Sequence, residues 1–393
     1  MVKKSRLAVF VVVSVLVLSS CIYLLTSYLA PRHACNYSGY LVYEDATTVF
    51  ALNCNTGTVD FSGADAAAVI NSAISNLGHG GIVHVNAGMY TLSTSIVGEL
   101  NDVVFEGDGR ATVFNVVQNF SMCGICPSGS GWVIRNFRFD GTNMNRTNNN
   151  HAIRPTGNNI TITGLFVNNW DGVGIYVFTG NRITITNNVL YGWNSGDGIG
   201  VLKSTDDIIS NNLVESVTKY NGIFVAGSSN VSIVGNVVDG GGNGIGIENI
   251  GQQGINEYIT IAGNTVRNTN YGVKVYLQNV NVDSGRYVTI TGNTFIPTRL
   301  GKGIYITSGR FFTITGNTIV GGTAGVYLEN SVSNITVTGN FITDSIDFGI
   351  REDASGTGIP DYNFYTGNYF NLPATAIQIQ LAGTHSRAAN NYP

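Results

Sequence analysis

Charge is scarce in this chain. Its 20 Lys and Arg and 24 Asp and Glu make up 11% of 393 residues. Lys3, Lys4 and Arg6 fall in the first thirty residues, so the rest carries 17 bases against 24 acids, about −7. No basic patch offsets that balance, which excludes nucleic acid as a partner. Cysteine is scarce as well, with five in all. Cys123-Gly-Ile-Cys126 has the spacing of a redox pair or of half a zinc site. No second pair exists, and His79, His84 and His151 are scattered, so no metal site is expected. Helical periodicity is missing from about residue 160 onward, where apolar residues alternate with Thr, Ser or Gly. That is the period of a strand with one buried face.

What is present is repetition. The phrase Ile-Thr-Ile-Thr-Gly-Asn stands nearly intact from Ile183, Ile259, Val288, Phe312 and Ile335, with looser copies from Ile160, Asp207 and Val231. Its last residue falls at Leu165, Asn188, Asn212, Asn236, Asn264, Asn293, Asn317, Asn340 and Asn368, in steps of 23, 24, 24, 28, 29, 24, 23 and 28. Each repeat also holds a second phrase, Gly-[Ile/Val]-x-[Ile/Val], at Gly172, Gly198, Gly222, Gly244, Gly272, Gly303, Gly325 and Gly349. A period of this length without a helix predicts a solenoid of β-coils, because no single repeat can bury its own apolar residues. Equivalent strands should stack about 4.8 Å apart and align Ile185, Ile233, Ile261, Ile290 and Ile314 in a buried column. The recurring Asn is read as the residue at the bend, with side-chain amides bonded from coil to coil.

Upstream, Val69, Ile70, Ala73, Ile74 and Leu77 share one helical face, and Ser62 with Asp65 reads as a capping box for a helix over 62–77. That helix leads into Gly81-Ile-Val-His-Val85 and the turn Ala87-Gly88-Met89-Tyr90, similar to a Pro-Gly-Thr-Tyr turn. With the Asn phrases, these segments resemble the right-handed parallel β-helix proteins of the pectate-lyase-like superfamily, from Ser62 to the C-terminus. The resemblance implies an all-β chain, a single right-handed parallel β-helix of about eleven coils over 62–393. That superfamily spans lyases, hydrolases, epimerases, phage tailspikes and non-catalytic surface proteins, so the likeness implies a fold and leaves the activity open.

Residues 1–30 read as a membrane anchor or signal segment. Leu7 to Leu29 is an uncharged, mostly apolar run long enough to cross a bilayer, behind three positive charges that favour an exported body. The rival reading is cleavage near Leu18-Ser19-Ser20-Cys21. Four further cysteines fit export. Cys35 with Cys54 would staple a hairpin in the 31–61 region, with strands near Tyr40 to Tyr43 and Thr48 to Leu52, and Cys123 with Cys126 reads as a loop disulfide. Sequons stand at Asn36, Asn119, Asn145, Asn159, Asn230 and Asn334.

Chemistry belongs on the outside of the Gly-led strand, since the inside of each coil is packed. Its outward positions offer acids, aromatics and bases in one stripe: Asp171, Asp197, Glu248, Lys274, Tyr276, Tyr305, Tyr327 and Arg351. Aromatic platforms beside carboxylates suit a sugar polymer, whose rings stack and whose hydroxyls bond. Glycoside hydrolysis needs two carboxylates about 5 to 9.5 Å apart. Asp171 and Asp197, each just before a glycine, are the catalytic candidates. Asn169-Trp170-Asp171-Gly172 and Ser195-Gly196-Asp197-Gly198 resemble faintly the first two motifs of polygalacturonase-type hydrolases, but Tyr220-Asn221-Gly222 and Gly272-Val273-Lys274 depart from the next two. The plainer alternative is that both aspartates cap turns. Glu248, Lys274, Tyr276, Tyr305, Tyr327 and Arg351 are read as substrate-binding.

A lyase or epimerase would use a base such as Lys203, Arg267 or Lys274, with Ca²⁺ held near Asp206, Asp207 and Glu248. Asp353-Ala-Ser355-Gly-Thr357-Gly358 starts like a Ca²⁺ loop but lacks its closing Glu. No cofactor is assigned, and Ca²⁺ stays open. The expectation is an extracellular, membrane-tethered or secreted protein whose partner is a polysaccharide that it binds and either cleaves or only holds. The alternative is a non-catalytic adhesive or structural surface protein.

Overall fold

The computed structural model describes residues 35–116, 123–142, 150–192, 196–215, 217, 219–249, 254–277 and 284–393. Two units are distinguished, Met1–Tyr37 and Ser38–Pro393, and the account below concerns the second. The expected membrane segment lies outside the described residues. Among the described residues no helix is long and apolar enough to cross a membrane.

The Thr-alternating phrases form the first sheet of a parallel β-solenoid of about twelve turns, one more than expected. Thr161–Thr163 pairs in parallel with Thr184–Thr186, and the register continues rung by rung to Phe364–Thr366 and Arg387–Ala389. Ile162, Ile185, Ile209, Ile233, Ile261, Ile290, Ile314 and Val337 align in one column, each no more than 1% exposed. Ile208, Val234 and Ala262 interrupt the outward threonines.

Each coil holds three strands where the sequence predicted two. A short strand follows every ladder Asn, as in Val189–Tyr191, Leu213–Glu215 and Thr318–Val320. It stacks in the same second sheet as the Gly-led strand. In three coils the two run together as Val237–Asn249, Thr265–Leu277 and Thr294–Ile306.

The recurring asparagines are buried and form a ladder. Asn264 is typical: its Nδ2 donates to Asn293 Oδ1 at 2.9 Å and to the Ile233 carbonyl at 2.8 Å, and its backbone N–H donates to the same Asn293 Oδ1 at 2.8 Å. The bend itself belongs to the preceding residue. Asn187, Asn211, Gly235, Gly263, Gly292, Gly316, Gly339 and Gly367 have φ between 54° and 66°, the left-handed region that Gly and Asn tolerate.

The capping helix, α1, is Ala66–Ser75, shorter than predicted. Its N-cap is Asp65, whose Oδ1 accepts the Ala67 N–H at 3.0 Å; Ser62 belongs to the strand Thr58–Gly63. Gly39–Asp45 and Thr48–Asn53 pair as the expected antiparallel hairpin, and Thr58–Gly63 adds a third strand. The first of these strands also pairs in parallel with Gly81–Val85, joining the hairpin to the solenoid. Inside the last turns sits a carboxylate, Glu352, 2% exposed. Its Oε1 accepts from Asn363, Tyr365 and Ser386, and its Oε2 from the backbone of Ala382 and Gly383, at 2.6 to 2.9 Å.

Candidate active site on the outward face of the Gly-led strand

Because Ile175, Ile199, Ile223, Ile245, Val273, Ile304, Val326 and Ile350 point inward in one register, the next residue of each strand points out. That outward column reads Tyr176, Gly200, Phe224, Gly246, Lys274, Tyr305, Tyr327 and Arg351. Lys274, Tyr305, Tyr327 and Arg351 thus stand side by side as expected. Glu248 and Tyr276 pair with each other two residues further along.

Asp171 is not the neighbour that the sequence suggested. Ile175 pairs with Ile199, which puts Val173 level with Asp197 and Asp171 two residues upstream, where its Oδ2 accepts the Asn150 N–H at 3.2 Å. The chain offers two overlapping phrases, Gly172-Val-Gly174 and Gly174-Ile-Tyr-Val177, and the packed register uses the second.

Asp197 has other company. Its Oδ1 accepts from Asn221 twice, from the backbone N–H at 2.7 Å and from Nδ2 at 2.8 Å, while Asn243 donates to Asn221 Oδ1 at 2.7 Å. Glu248 lies beside this row, 4% exposed. Gly246 makes room for it, since a Cβ there would lie 2.5 Å from Asn221 Oδ1 and 3.1 Å from Glu248 Oε1. Burial, then the charge of Asp197, push the Glu248 carboxyl up to about 7, against the Asn221 hydrogen bond and the Lys274 charge. Burial also raises Asp197, opposed by its Asn221 bonds. Lys274 is lowered by burial, with Glu248 opposing, and its ammonium lies 4.3 Å from the Tyr276 ring and 5.0 Å from that of Tyr271.

Towards the C-terminus the face turns aromatic. Tyr271 stacks on Tyr305 at 5.1 Å, and Tyr305 meets Tyr327 edge-on at 5.5 Å. The expected open ladder of Tyr276, Tyr305 and Tyr327 is instead a half-buried cluster built on Tyr271. Its hydroxyls are engaged: Tyr305 donates to Glu329 and Tyr327 to Asp353. Burial first, and these carboxylates next, push both phenols above their ordinary range. Lys302 lies 4.8 to 5.6 Å from three of the rings. Arg351 pairs with Asp353 at 3.2 Å and lies over the Phe348 and Tyr327 rings.

Towards the N-terminus the same face is apolar, with Val173, Leu202, Phe224 and Ala226 packed against Tyr176 and Phe178. His151, two residues before inward Ile153, was weighed in the sequence only as a metal ligand. Its ring lies 4.4 Å from that of Tyr176, and its Nδ1 accepts the Val173 N–H at 2.9 Å. Burial, then the Arg154 charge, pull it down to about 4. Ala152 stands where later coils have Gly, which hid this coil from pattern reading. The Cys123–Cys126 disulfide closes this end, beside a cavity of about 580 Å³ that Arg154, Glu99 and Ser128 also line. Cys35 and Cys54 are each disulfide-bonded.

The suggested Ca²⁺ ligands do not converge. Asp207 points inward with its Oδ1 on the Ile183 N–H, two coils from Glu248, and no set of three His, Cys, Asp or Glu groups suited to a metal occurs among the described residues. Asp353 Oδ1 accepts the Ser355 N–H, a turn within the chain.

Residues 151–284 match the family model described as a right handed beta helix region, and residues 255–392 match that of the periplasmic copper-binding protein (NosD). No curated protein sequence matches the chain. Among solved structures it is similar to the A-module of the mannuronan C-5 epimerase AlgE6 of Azotobacter vinelandii, at 20% identity and a TM-score of 0.71 over 84% of this chain and 95% of that one. It is similar to the pre-mature gene product 12 of bacteriophage phi29, at 16% and 0.71 over 83% and 50%. An exopolygalacturonase of Thermotoga maritima follows at 10% and 0.57 over 80% and 88%. The chain folds as a right-handed parallel β-helix, and at these identities the likeness is one of fold. For copper, the NosD-like span holds a single histidine, His385, and neither Cys nor Met, a poor donor set for that ion.

Proposed function

We propose that this protein acts on a polysaccharide laid along the outward face of the Gly-led strand, with Glu248 as the proton-transferring group and Asp197 as its partner carboxylate. The observation that carries this reading is Glu248 itself. It is a buried acid held near neutrality, beside a second carboxylate and a lysine, in a notch kept open by Gly246 and next to tyrosine rings. An acid with a pKa near 7 is half-protonated at neutral pH, the condition for donating a proton to a leaving oxygen. Carbohydrate-acting structural neighbours support the substrate class. Asp171 enters as a turn residue beside the site. Export to the cell surface belongs to the same reading and is supported by the paired cysteines and the basic, then apolar, N-terminus.

The test is a polysaccharide panel with the purified chain, recording binding, reducing ends and unsaturated products together. Glu248→Gln and Asp197→Asn should each abolish turnover and leave binding near normal. Turnover that survives in both variants would remove the pair from catalysis. The engagement of Tyr305 with Glu329 and of Tyr327 with Asp353 favours a second reading, in which the face is a finished surface that holds glycan without cutting it. Binding with no product from the wild type selects that one.

A further inference from the structure

A different corner of the coil carries aromatic rings that the proposed site does not use. The residue just before each Thr-alternating phrase, from Ile160 to Ile335, adopts the left-handed conformation. In earlier coils it is Asn159, Arg182, Asp206 or Asn230. In three successive coils it is Tyr258, Tyr287 and Phe311, at φ 57°, 54° and 60°. Bulky aromatics are rare in that backbone region, and these are also exposed, by 55%, 46% and 42%. Their rings form a parallel stack, with centroids 5.1 and 5.3 Å apart and planes within 9°.

The stack stops at the next rung. There the position is held by Asn334, exposed, its amide folded onto Ser333 Oγ at 3.3 Å. One rung further comes Tyr362, also left-handed and exposed, stacked on His385 with 4.5 Å between centroids and 2° between planes. His385 is fixed in turn by Asp361, through its ring at 2.7 Å and its backbone N–H at 2.7 Å. Phe311 therefore turns its free face towards Tyr362 across a slot two rungs wide, about 9.6 Å. Carbon contacts of about 3.5 to 4.0 Å on either side leave room for one saturated ring and nothing thicker.

We propose that this slot seats a single pyranose ring, sandwiched between Phe311 and Tyr362, with the Asn334 amide and the Ser333 hydroxyl bonding its hydroxyls. A sugar ring has the two apolar faces that the aromatic walls require and the polar rim that the floor requires. A flat aromatic ligand has the first and lacks the second. The seat lies outside the Gly-led face and stands or falls independently of catalysis there.

Ligand-observed NMR on the full chain, with methyl β-glucopyranoside, methyl α-mannopyranoside and N-acetylglucosamine as probes and indole as the aromatic control, tests it. At least one sugar should show ring-proton contacts. Phe311→Ala and Tyr362→Ala should each weaken its binding about five-fold or more, while Tyr392→Ala, at an exposed tyrosine on the other sheet, leaves it unchanged. If Phe311→Ala loosens the stack enough to unfold the coil, Asn334→Phe decides. That variant fills the slot by continuing the stack, so it should retain or raise the melting temperature and abolish sugar binding. Sugar contacts that persist undiminished in Asn334→Phe, vanish in Tyr392→Ala, or are outcompeted by indole would overturn the assignment.

Discussion

A carboxylate in an inward position makes Asp207 a pH-dependent weakness in the fold. It is 1% exposed, and burial, opposed by its hydrogen bond from the Ile183 N–H, raises it from 3.8 to about 6. A raised acid is penalised when charged. The penalty is absent below about pH 4, where both folded and unfolded chains are protonated, grows as pH rises to about 6, and is complete above that. Asp207→Asn should therefore stabilise the protein at pH 7 by up to roughly 3 kcal/mol and by little at pH 4. Melting curves at the two pH values check this, and parallel profiles for wild type and variant would contradict it. Glu248 predicts a second titration: turnover should fall as pH rises through about 7, because the protonated acid is lost. At this scale the sequence was legible where an alternating strand fixed the face, as for Lys274, Tyr305 and Arg351. It misled at Asp171, which lies six residues after Leu165, whereas Asp197 and Asn221 lie nine after their ladder asparagines.

The strands that were legible are those with two or more inward residues, because alternation needs a second point. Ile183-Thr-Ile-Thr186 declares itself. Val189–Tyr191 and Thr318–Val320 bury a single central residue each and have no period to read. The ladder element was legible in composition and misplaced by one residue in conformation, since Gly and Asn adjoin in the phrase and only the backbone shows which one bends. Its energetics follow from its bonds. Asn264→Ala would leave the Asn236 N–H and Nδ2 without their acceptor and the Ile233 carbonyl without its donor. A loss of about 2 to 4 kcal/mol is expected in denaturant titrations, several times that of an exposed Thr→Ala change on the same strand. A loss under about 1 kcal/mol would mean that water replaces the ladder.

For the solenoid unit, stability is a sum over neighbours, each coil resting on the one before and the one after. Ile261→Asp places a charge in a column shared by three rungs and should unfold several coils together, so a soluble variant that still melts cooperatively would contradict the register. Glu352 closes the far end, and Glu352→Ala would strand five donors, including the Ala382 and Gly383 backbone, at about 3 kcal/mol or more. Protease should then cut first near residues 382–386.

The ladder also has a direction. From Asn188 to Asn368 every side-chain amide donates to the asparagine Oδ1 of the following coil and none to that of the preceding one, while its second N–H reaches back to a backbone carbonyl of the coil before. The two ends of any partial stack are thus chemically unlike, as the two ends of a polar filament are. A stack broken off at its C-terminal side strands two N–H donors of its last asparagine, one of the backbone and one of the amide, whereas one broken off at its N-terminal side strands an oxygen and a single amide N–H. Stranded donors are the costlier defect. A chain emerging N-terminus first always presents the hungry end to the coil still to come, so growth by successive addition has a built-in sense.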